Sequence, residues 1–177
     1  EAMDPQQRLM MTYAWRAIED AGIAPSSLSG RAVAVFVGTD RSGYGSLLAA
    51  SGRPIEGYSA TGIVSSVGPN RLSFLLNLRG PSEPVETACS SSLVALRKGV
   101  QEIQSGRCEM ALVGGVNTIV TPDAHISFSK AGMLAEDGRC KTFSAHANGY
   151  ARGEGVAMLL LQPLAAAERD GDVIHGV

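Results

Sequence analysis

Short apolar runs alternate with longer amphipathic segments along most of the chain. The runs at 32–37, 110–116 and 156–161 are built from valine, alanine, leucine and other uncharged residues. Runs of this length and composition are typical of strands buried on both faces, as in a parallel sheet covered by helices. A shorter strand is predicted at 84–88, and a further one is predicted to start at 173–177.

Helical spacing of apolar residues marks the segments between these strands. Residues 4–21 are predicted as a helix, because Asp4 can cap it, Pro5 suits its first position and apolar residues recur at helical intervals. Further helices are predicted at 47–50, 63–76, 90–104 and 164–169. Strands that alternate with helices predict an α/β layered fold.

Composition narrows the class of protein. The chain is 45% hydrophobic and 18% charged, which is typical of a folded domain. A formal net charge of -2 argues against a nucleic-acid partner, which selects for a basic surface. No apolar run approaches the roughly 20 residues of a membrane span, and no charged-then-apolar leader opens the chain. We therefore expect a cytoplasmic protein without a membrane or nucleic-acid partner.

The cysteines indicate a reducing compartment. Cys89, Cys108 and Cys140 are odd in number and far apart, which does not suit a disulfide framework. No Cys-x-x-Cys or His-x-x-x-His spacing is present, so no metal is expected. Cys108 is expected at an ordinary surface or boundary position, and Cys140 is expected to pack beneath a loop.

Cys89 is the main candidate for chemistry, since it is predicted to lie where a strand passes into a helix. The first turn of a helix has unpaired N–H groups and a positive dipole end, which favour thiolate over thiol. The same N–H groups can bind an oxyanion. Ala88 and the serines at 90–92 leave room for a bulky substrate, and these serines can cap the helix. One alternative to a catalytic Cys89 is that it is a buried structural cysteine. Another is that a neighbouring serine is the nucleophile, which has less support because no Gly-x-Ser-x-Gly elbow surrounds these serines.

The segment 87–92 (TACSSS), preceded by 80–82 (GPS), resembles the active-site segment of β-ketoacyl synthases in modular polyketide synthases. The resemblance covers essentially all 177 residues. The sequence of residues 147–150 (ANGY) is similar to that of synthases that receive their extender units from a separate acyltransferase. The other matching segments are 3–9 (MDPQQRL), 15–22 (WRAIEDAG), 128–134 (FSKAGML), 137–143 (DGRCKTF) and 149–155 (GYARGEG).

This resemblance implies a thiolase-like layered α-β-α-β-α fold that is incomplete in this chain. Residues 1–177 would be a partial ketosynthase domain that carries the nucleophile Cys89, without the C-terminal part and its histidine motifs. Cys89 would accept an acyl chain from a carrier protein, and a malonyl-type extender would then lose carbon dioxide and attack the thioester. No cofactor would bind directly, because substrates arrive on the phosphopantetheine of an acyl carrier protein.

The resemblance also implies roles for other residues. Phe128, Met133 and Phe143 would line the acyl cavity, with plain core packing as the alternative. Val85 and Thr87 would belong to a strand that pairs across a homodimer. The expected partners are acyl carrier protein domains, an acyltransferase domain or a separate acyltransferase, and a second copy of the domain.

Two rival functions stay open at this point. A non-elongating synthase would keep Cys89 and only pass acyl chains between carriers, because it lacks a histidine needed for condensation. A carrier-docking or structural module would have no turnover. The second rival is disfavoured because such modules replace the nucleophile, whereas Cys89 is present.

Overall fold

A computed structural model of the chain describes residues 2–177 and is built on one mixed sheet. The strands are β1 (Val33–Gly38), β2 (Ser82–Val85), β3 (Met110–Asn117) and β4 (Gly155–Leu161), in the spatial order β2-β1-β3-β4. Strand β1 pairs in parallel with β2 and β3, whereas β3 and β4 are antiparallel. The three long predicted strands are confirmed, and the sheet is mixed because the long connection after β3 brings the chain back in the opposite direction.

Helices cover both faces of this sheet. One face carries α1 and α4, whose side chains form a core cluster with Val33, Val35 and Val37 of β1. The other face carries α5, which packs with Ala34 and Phe36 of the same strand. Both faces of β1 are therefore buried, which explains its uninterrupted apolar run. The helices are α1 (Pro5–Asp20), α2 (Tyr44–Ala50), α3 (Ser59–Ile63), α4 (Val67–Leu75), α5 (Ser91–Gln104), α6 (Asp123–Lys130) and α7 (Leu164–Asp170), and a 3-10 turn spans Pro25–Leu28.

The start of α1 confirms the predicted cap. The Asp4 carboxylate accepts a hydrogen bond from the Gln6 amide at 2.8 Å, and Pro5 occupies the first helical position. The proline has no N–H to leave unpaired there, and its fixed φ suits the helix. Within residues 2–177, no helix is both long and apolar enough to cross a bilayer.

The helix predicted at 63–76, with Pro69 expected to disturb its early part, is confirmed only from Val67 to Leu75, as α4, and Ile63 instead ends the separate helix α3. Pro69 explains the break. A helix that ran through from residue 63 would leave the carbonyl of residue 65 without its donor and would clash with the proline ring. Since α4 begins at Val67, Pro69 lies in its first turn, where the amides have no intrahelical partner in any case.

Two strand predictions also need correction. The strand predicted at 84–88 lies at Ser82–Val85 and ends before the cysteine, because the chain turns sharply at Ala88 with φ 52°. The strand predicted to start at 173–177 is irregular backbone. This tail is held by side chains instead of a ladder: His175 Nε2 lies 2.9 Å from Asp20 Oδ2.

The first turn of α5 lies unusually close to the sheet. A Cβ placed on Gly38, the last residue of β1, would lie 2.7 Å from the Ser92 amide nitrogen. A Cβ on Gly115 of β3 would lie 2.9 Å from Ser92 Cβ. Gly38 and Gly115 are partners in the β1–β3 ladder. Two neighbouring glycines at the carboxyl ends of adjacent strands therefore allow the helix to begin directly against the sheet.

Substitution of Gly38 by alanine should test this close packing. The added methyl group meets the helix backbone, which cannot rotate away, so we expect the free energy of unfolding to fall by about 1–3 kcal/mol through overpacking. Urea denaturation measures the change. The control is Gly57→Ala, where the added Cβ meets nothing within 4 Å, and where a change below about 0.5 kcal/mol is expected. Equal effects of the two substitutions would contradict the close packing.

Candidate active site

Cys89 lies in the turn between β2 and α5, two residues before the helix begins, and its side chain is exposed. The predicted position at a strand-to-helix junction is therefore confirmed, and the alternative of a buried structural cysteine is wrong. The cysteine lies at the carboxyl end of a parallel strand pair. This edge of an α/β sheet is where ligands commonly bind.

The turn that presents Cys89 is strained. Ala88 has φ 52°, a left-handed conformation that is uncommon for residues other than glycine. Such strain persists only where surrounding contacts enforce it, and it is concentrated at functional sites. The arrangement of strand, strained turn and helix is the one that exposes the nucleophile in enzymes with a nucleophile elbow. The sequence carried no signal for it, because alanine gives no indication of a positive φ.

Two serines hold this turn in place. Ser91 Oγ accepts a hydrogen bond from the Thr87 amide at 2.9 Å and donates one to the Ala88 carbonyl at 2.7 Å. Ser90 Oγ donates to the Thr87 carbonyl at 2.8 Å. The prediction that these serines cap α5 is wrong, since Ser90 at the N-cap makes no side-chain capping bond. Their hydroxyls instead bond back to the preceding backbone, a local competition that is common for serine.

Two backbone amides at the start of the helix have no carbonyl partner. The Ser90 and Ser91 amides donate to the carbonyls of Thr87 and Ala88, at 3.3 and 3.1 Å. Within the described chain, the amides of Ser92 and Leu93 donate to no carbonyl. These are first-turn amides, which helix geometry leaves without intrahelical partners and which carry the positive end of the helix dipole. The exposed Cys89 therefore precedes, along the chain, two amides without carbonyl partners.

The other two cysteines differ from Cys89, and both expectations about them are wrong. Cys108 is buried rather than at the surface, with 5% of its area exposed. Burial, and secondarily the Glu102 carboxylate, raise the pKa of its thiol. Cys140 is exposed rather than packed beneath a loop. Its Sγ accepts a hydrogen bond from the Ala151 amide at 3.2 Å, so it is engaged by the backbone.

The residues predicted to line an acyl cavity are only partly brought together. Phe128 on α6 packs edge-to-face on Tyr150, with ring centroids 6.4 Å apart, and its carbonyl accepts a hydrogen bond from the Met133 amide at 3.0 Å. Phe143 is fully exposed. A groove of about 900 Å³ runs between α5 and β4, but neither Cys89 nor any of the three predicted lining residues borders it. The acyl cavity therefore stays a prediction.

The residues predicted at a dimer interface lie on the sheet's outer strand. Strand β2 is at one edge of the sheet, so no other strand within residues 2–177 pairs with its outer backbone groups. Val85 is buried in the cluster beneath α5, and Thr87 is exposed. Pairing across a dimer stays a prediction. Within residues 2–177, no group of three or more His, Cys, Asp or Glu side chains is arranged to hold a metal ion.

Residues 1–167 match the family model of the β-ketoacyl synthase N-terminal domain. The chain is 57% identical to polyketide synthase PksN of Bacillus subtilis (strain 168), over 100% of this chain and 3% of that protein. It is 49% identical to the pikromycin polyketide synthase component PikAII of Streptomyces venezuelae, over 99% of this chain and 5% of that protein. The chain therefore spans only a small part of the length of these relatives.

Solved structures agree with the family match. The ketosynthase from module 6 of the bacillaene synthase of Bacillus subtilis 168 superposes with a TM-score of 0.88 at 38% identity, over 98% of this chain and 29% of that chain. The oxazolomycin ketosynthase domain OzmH KS7 of Streptomyces albus JA3453 gives 0.85 at 35% identity, over 98% and 31%. The thiolase-like fold is thus confirmed, as a partial fold. The chain belongs to the β-ketoacyl synthase family, as the N-terminal part of a polyketide synthase ketosynthase domain.

Proposed function

We propose that Cys89 is the acyl-accepting nucleophile of a condensing enzyme that acts on carrier-bound thioesters. The observation that carries this proposal is the exposed thiol immediately before α5, in a chain with the ketosynthase fold. An exposed thiol can be reached by a thioester substrate, and the nucleophilic form of cysteine is the thiolate. The small residues around it, Ala88 and three serines, leave space for an acyl-pantetheine chain.

In the first half-reaction, the Cys89 thiolate attacks the carbonyl carbon of an acyl thioester. Negative charge develops on the carbonyl oxygen of the tetrahedral intermediate, and the first-turn amides of Ser92 and Leu93 are the donors that would stabilise it. The intermediate collapses with loss of the pantetheine thiolate, which takes up a proton. The products are an acyl-Cys89 thioester and a free carrier thiol, whose proton replaces the one that the Cys89 thiol gave up to solvent.

The second half-reaction is a decarboxylative Claisen condensation. A malonyl-type extender on a carrier protein loses carbon dioxide, and its carbanion attacks the acyl-Cys89 carbonyl. The thiolate leaves, and a β-ketoacyl chain one unit longer stays on the carrier. The family resemblance assigns the decarboxylation to histidine motifs that do not occur in residues 1–177. A non-elongating synthase shares the first half-reaction, so Cys89 has the same role in either case.

The proposed partners follow from the substrates. Acyl carrier proteins would deliver both thioesters on their phosphopantetheine arms, and an acyltransferase, either in the same protein or separate, would load the extender. A second copy of the domain would pair along β2, whose outer edge is open in this chain.

Loss of the Cys89 thiol should abolish acyl loading. We expect the ketosynthase domain that contains this chain to gain one acyl group on incubation with an acyl-N-acetylcysteamine thioester, and the Cys89→Ala variant to gain none. Intact-protein mass spectrometry measures the mass change. Cys140→Ala is the matched control, because Cys140 is also exposed. Undiminished loading of the Cys89→Ala variant, or loss of loading in the Cys140→Ala variant, would remove Cys89 from this role.

The three cysteines should also differ in their rates of alkylation at neutral pH. Cys89 is expected to react first with iodoacetamide, and Cys108 last, by roughly tenfold or more, because burial limits access and raises the pKa of the Cys108 thiol. Cys140 should lie between them, since the Ala151 amide occupies its sulfur. Time-resolved peptide mapping measures each rate separately. Equal rates for Cys89 and Cys108 would be incompatible with the described positions.

A further inference from the structure

The backbone ladder between β1 and β3 ends at the Gly38–Gly115 pair. Beyond this pair, the side chain of Gln6 joins the two backbone segments that continue from the strands. Gln6 Nε2 donates a hydrogen bond to the Asp40 carbonyl at 2.6 Å. Gln6 Oε1 accepts one from the Thr118 amide at 3.0 Å. A side-chain amide has the same donor and acceptor as a peptide group. Gln6 therefore acts as an additional rung between the two strand ends.

Gln6 is itself held firmly. Only 5% of its area is exposed, and its Nε2 also donates to the Thr39 hydroxyl oxygen at 3.4 Å, so its amide is fixed by protein groups rather than by solvent. The Asp4 carboxylate accepts hydrogen bonds from the Gln6 backbone amide at 2.8 Å and from the Ser42 hydroxyl at 2.5 Å. The start of α1 is thus attached to the loop after β1 by backbone and side chain. The Gln6 amide has little freedom to adjust if the strand ends move.

The two strand ends joined by Gln6 are those on which α5 begins. Gly38 lies two residues before Asp40, and Gly115 lies three residues before Thr118. Both glycines approach Ser92 so closely that an added Cβ would lie within 3 Å of it. Both strand ends therefore contact the first turn of α5 at Ser92, three residues after Cys89.

We propose that Gln6 is a positioning residue for Cys89: its amide sets the separation of the carboxyl ends of β1 and β3 that supports the first turn of α5. The inference rests on the proposed acyl transfer to Cys89. Gln6 does not touch the reacting atoms in this account, and it acts through the strand ends. Acyl transfer is sensitive to such positioning, because a displacement of about 1 Å can lower the rate by about 100-fold.

The neighbouring residue provides a matched control. Gln7 is also 5% exposed and lies on the same helical turn. Its Nε2 donates to the carbonyls of Thr61, Gly62 and Val64, at 3.2, 3.2 and 3.3 Å. These acceptors lie around the end of α3, not at the strand ends beneath α5. Replacement of Gln7 removes a buried amide of the same size without touching the rung between β1 and β3.

The test compares Gln6→Met with Gln7→Met in the ketosynthase domain that contains this chain. Both variants lose a buried amide, so we expect similar falls in Tm. Acylation of Cys89 by an acyl-N-acetylcysteamine thioester should be at least tenfold slower for Gln6→Met than for Gln7→Met, with the loss in the maximal rate and not in KM. Alkylation of Cys89 by iodoacetamide does not use the first-turn amides, and it should stay within about twofold in both variants.

The outcomes separate the two proposals. If the unmodified domain fails to load Cys89, the proposed function is wrong. If it loads, and Gln6→Met and Gln7→Met acylate at equal rates, the positioning inference alone is overturned. If Gln6→Met does not fold, Gln6→Asn is tested in its place. The asparagine amide is polar, but the side chain is too short to reach both the Asp40 carbonyl and the Thr118 amide. Acylation at least tenfold slower than in Gln7→Met is again expected. Acylation of Gln6→Asn at the Gln7→Met rate would overturn the inference.

Discussion

The close contact between the first turn of α5 and the ends of β1 and β3 is the constraint on which the rest of this structure depends. Gly38 and Gly115 are side by side in the ladder, and together they let the helix begin against the sheet without an intervening side chain. A helix that begins there places its unpaired amides at the edge of the sheet. The exposed Cys89 lies in the turn that leads into this helix, two residues before it begins.

The turn before the helix is held by local hydrogen bonds. Ala88 takes up a left-handed conformation, and hydroxyl groups of Ser90 and Ser91 bond back to the backbone on either side of it. These bonds offset the strain and fix the direction in which the chain leaves β2. The serines leave the amides of α5 free because they hold the turn rather than cap the helix. Local polar residues thus stabilise the shape of the turn that carries Cys89.

The sequence predicted the features that depend on local residue patterns, and it missed features that depend on contacts between distant segments. The three long strands could be predicted because burial on both faces requires unbroken apolar runs. The position of Cys89 could be predicted from the strand before it and the helix after it. The helix break before Pro69 follows a local rule that the prediction applied too weakly. The left-handed Ala88 is held by hydroxyl groups close in sequence, but alanine itself gives no sign of a positive φ. The burial of Cys108 and the link from Gln6 to the strand ends depend on packing between segments far apart in sequence. No local pattern encodes such contacts.

The most direct measurement of the central claim is a crystal structure of the ketosynthase domain with an acyl group trapped from a thioester substrate. The account predicts an acyl thioester on Cys89, with its carbonyl oxygen within roughly 2.7–3.1 Å of first-turn amides of α5. An acyl group on another residue, or a Cys89 thioester whose oxygen lies away from the start of that helix, would contradict it.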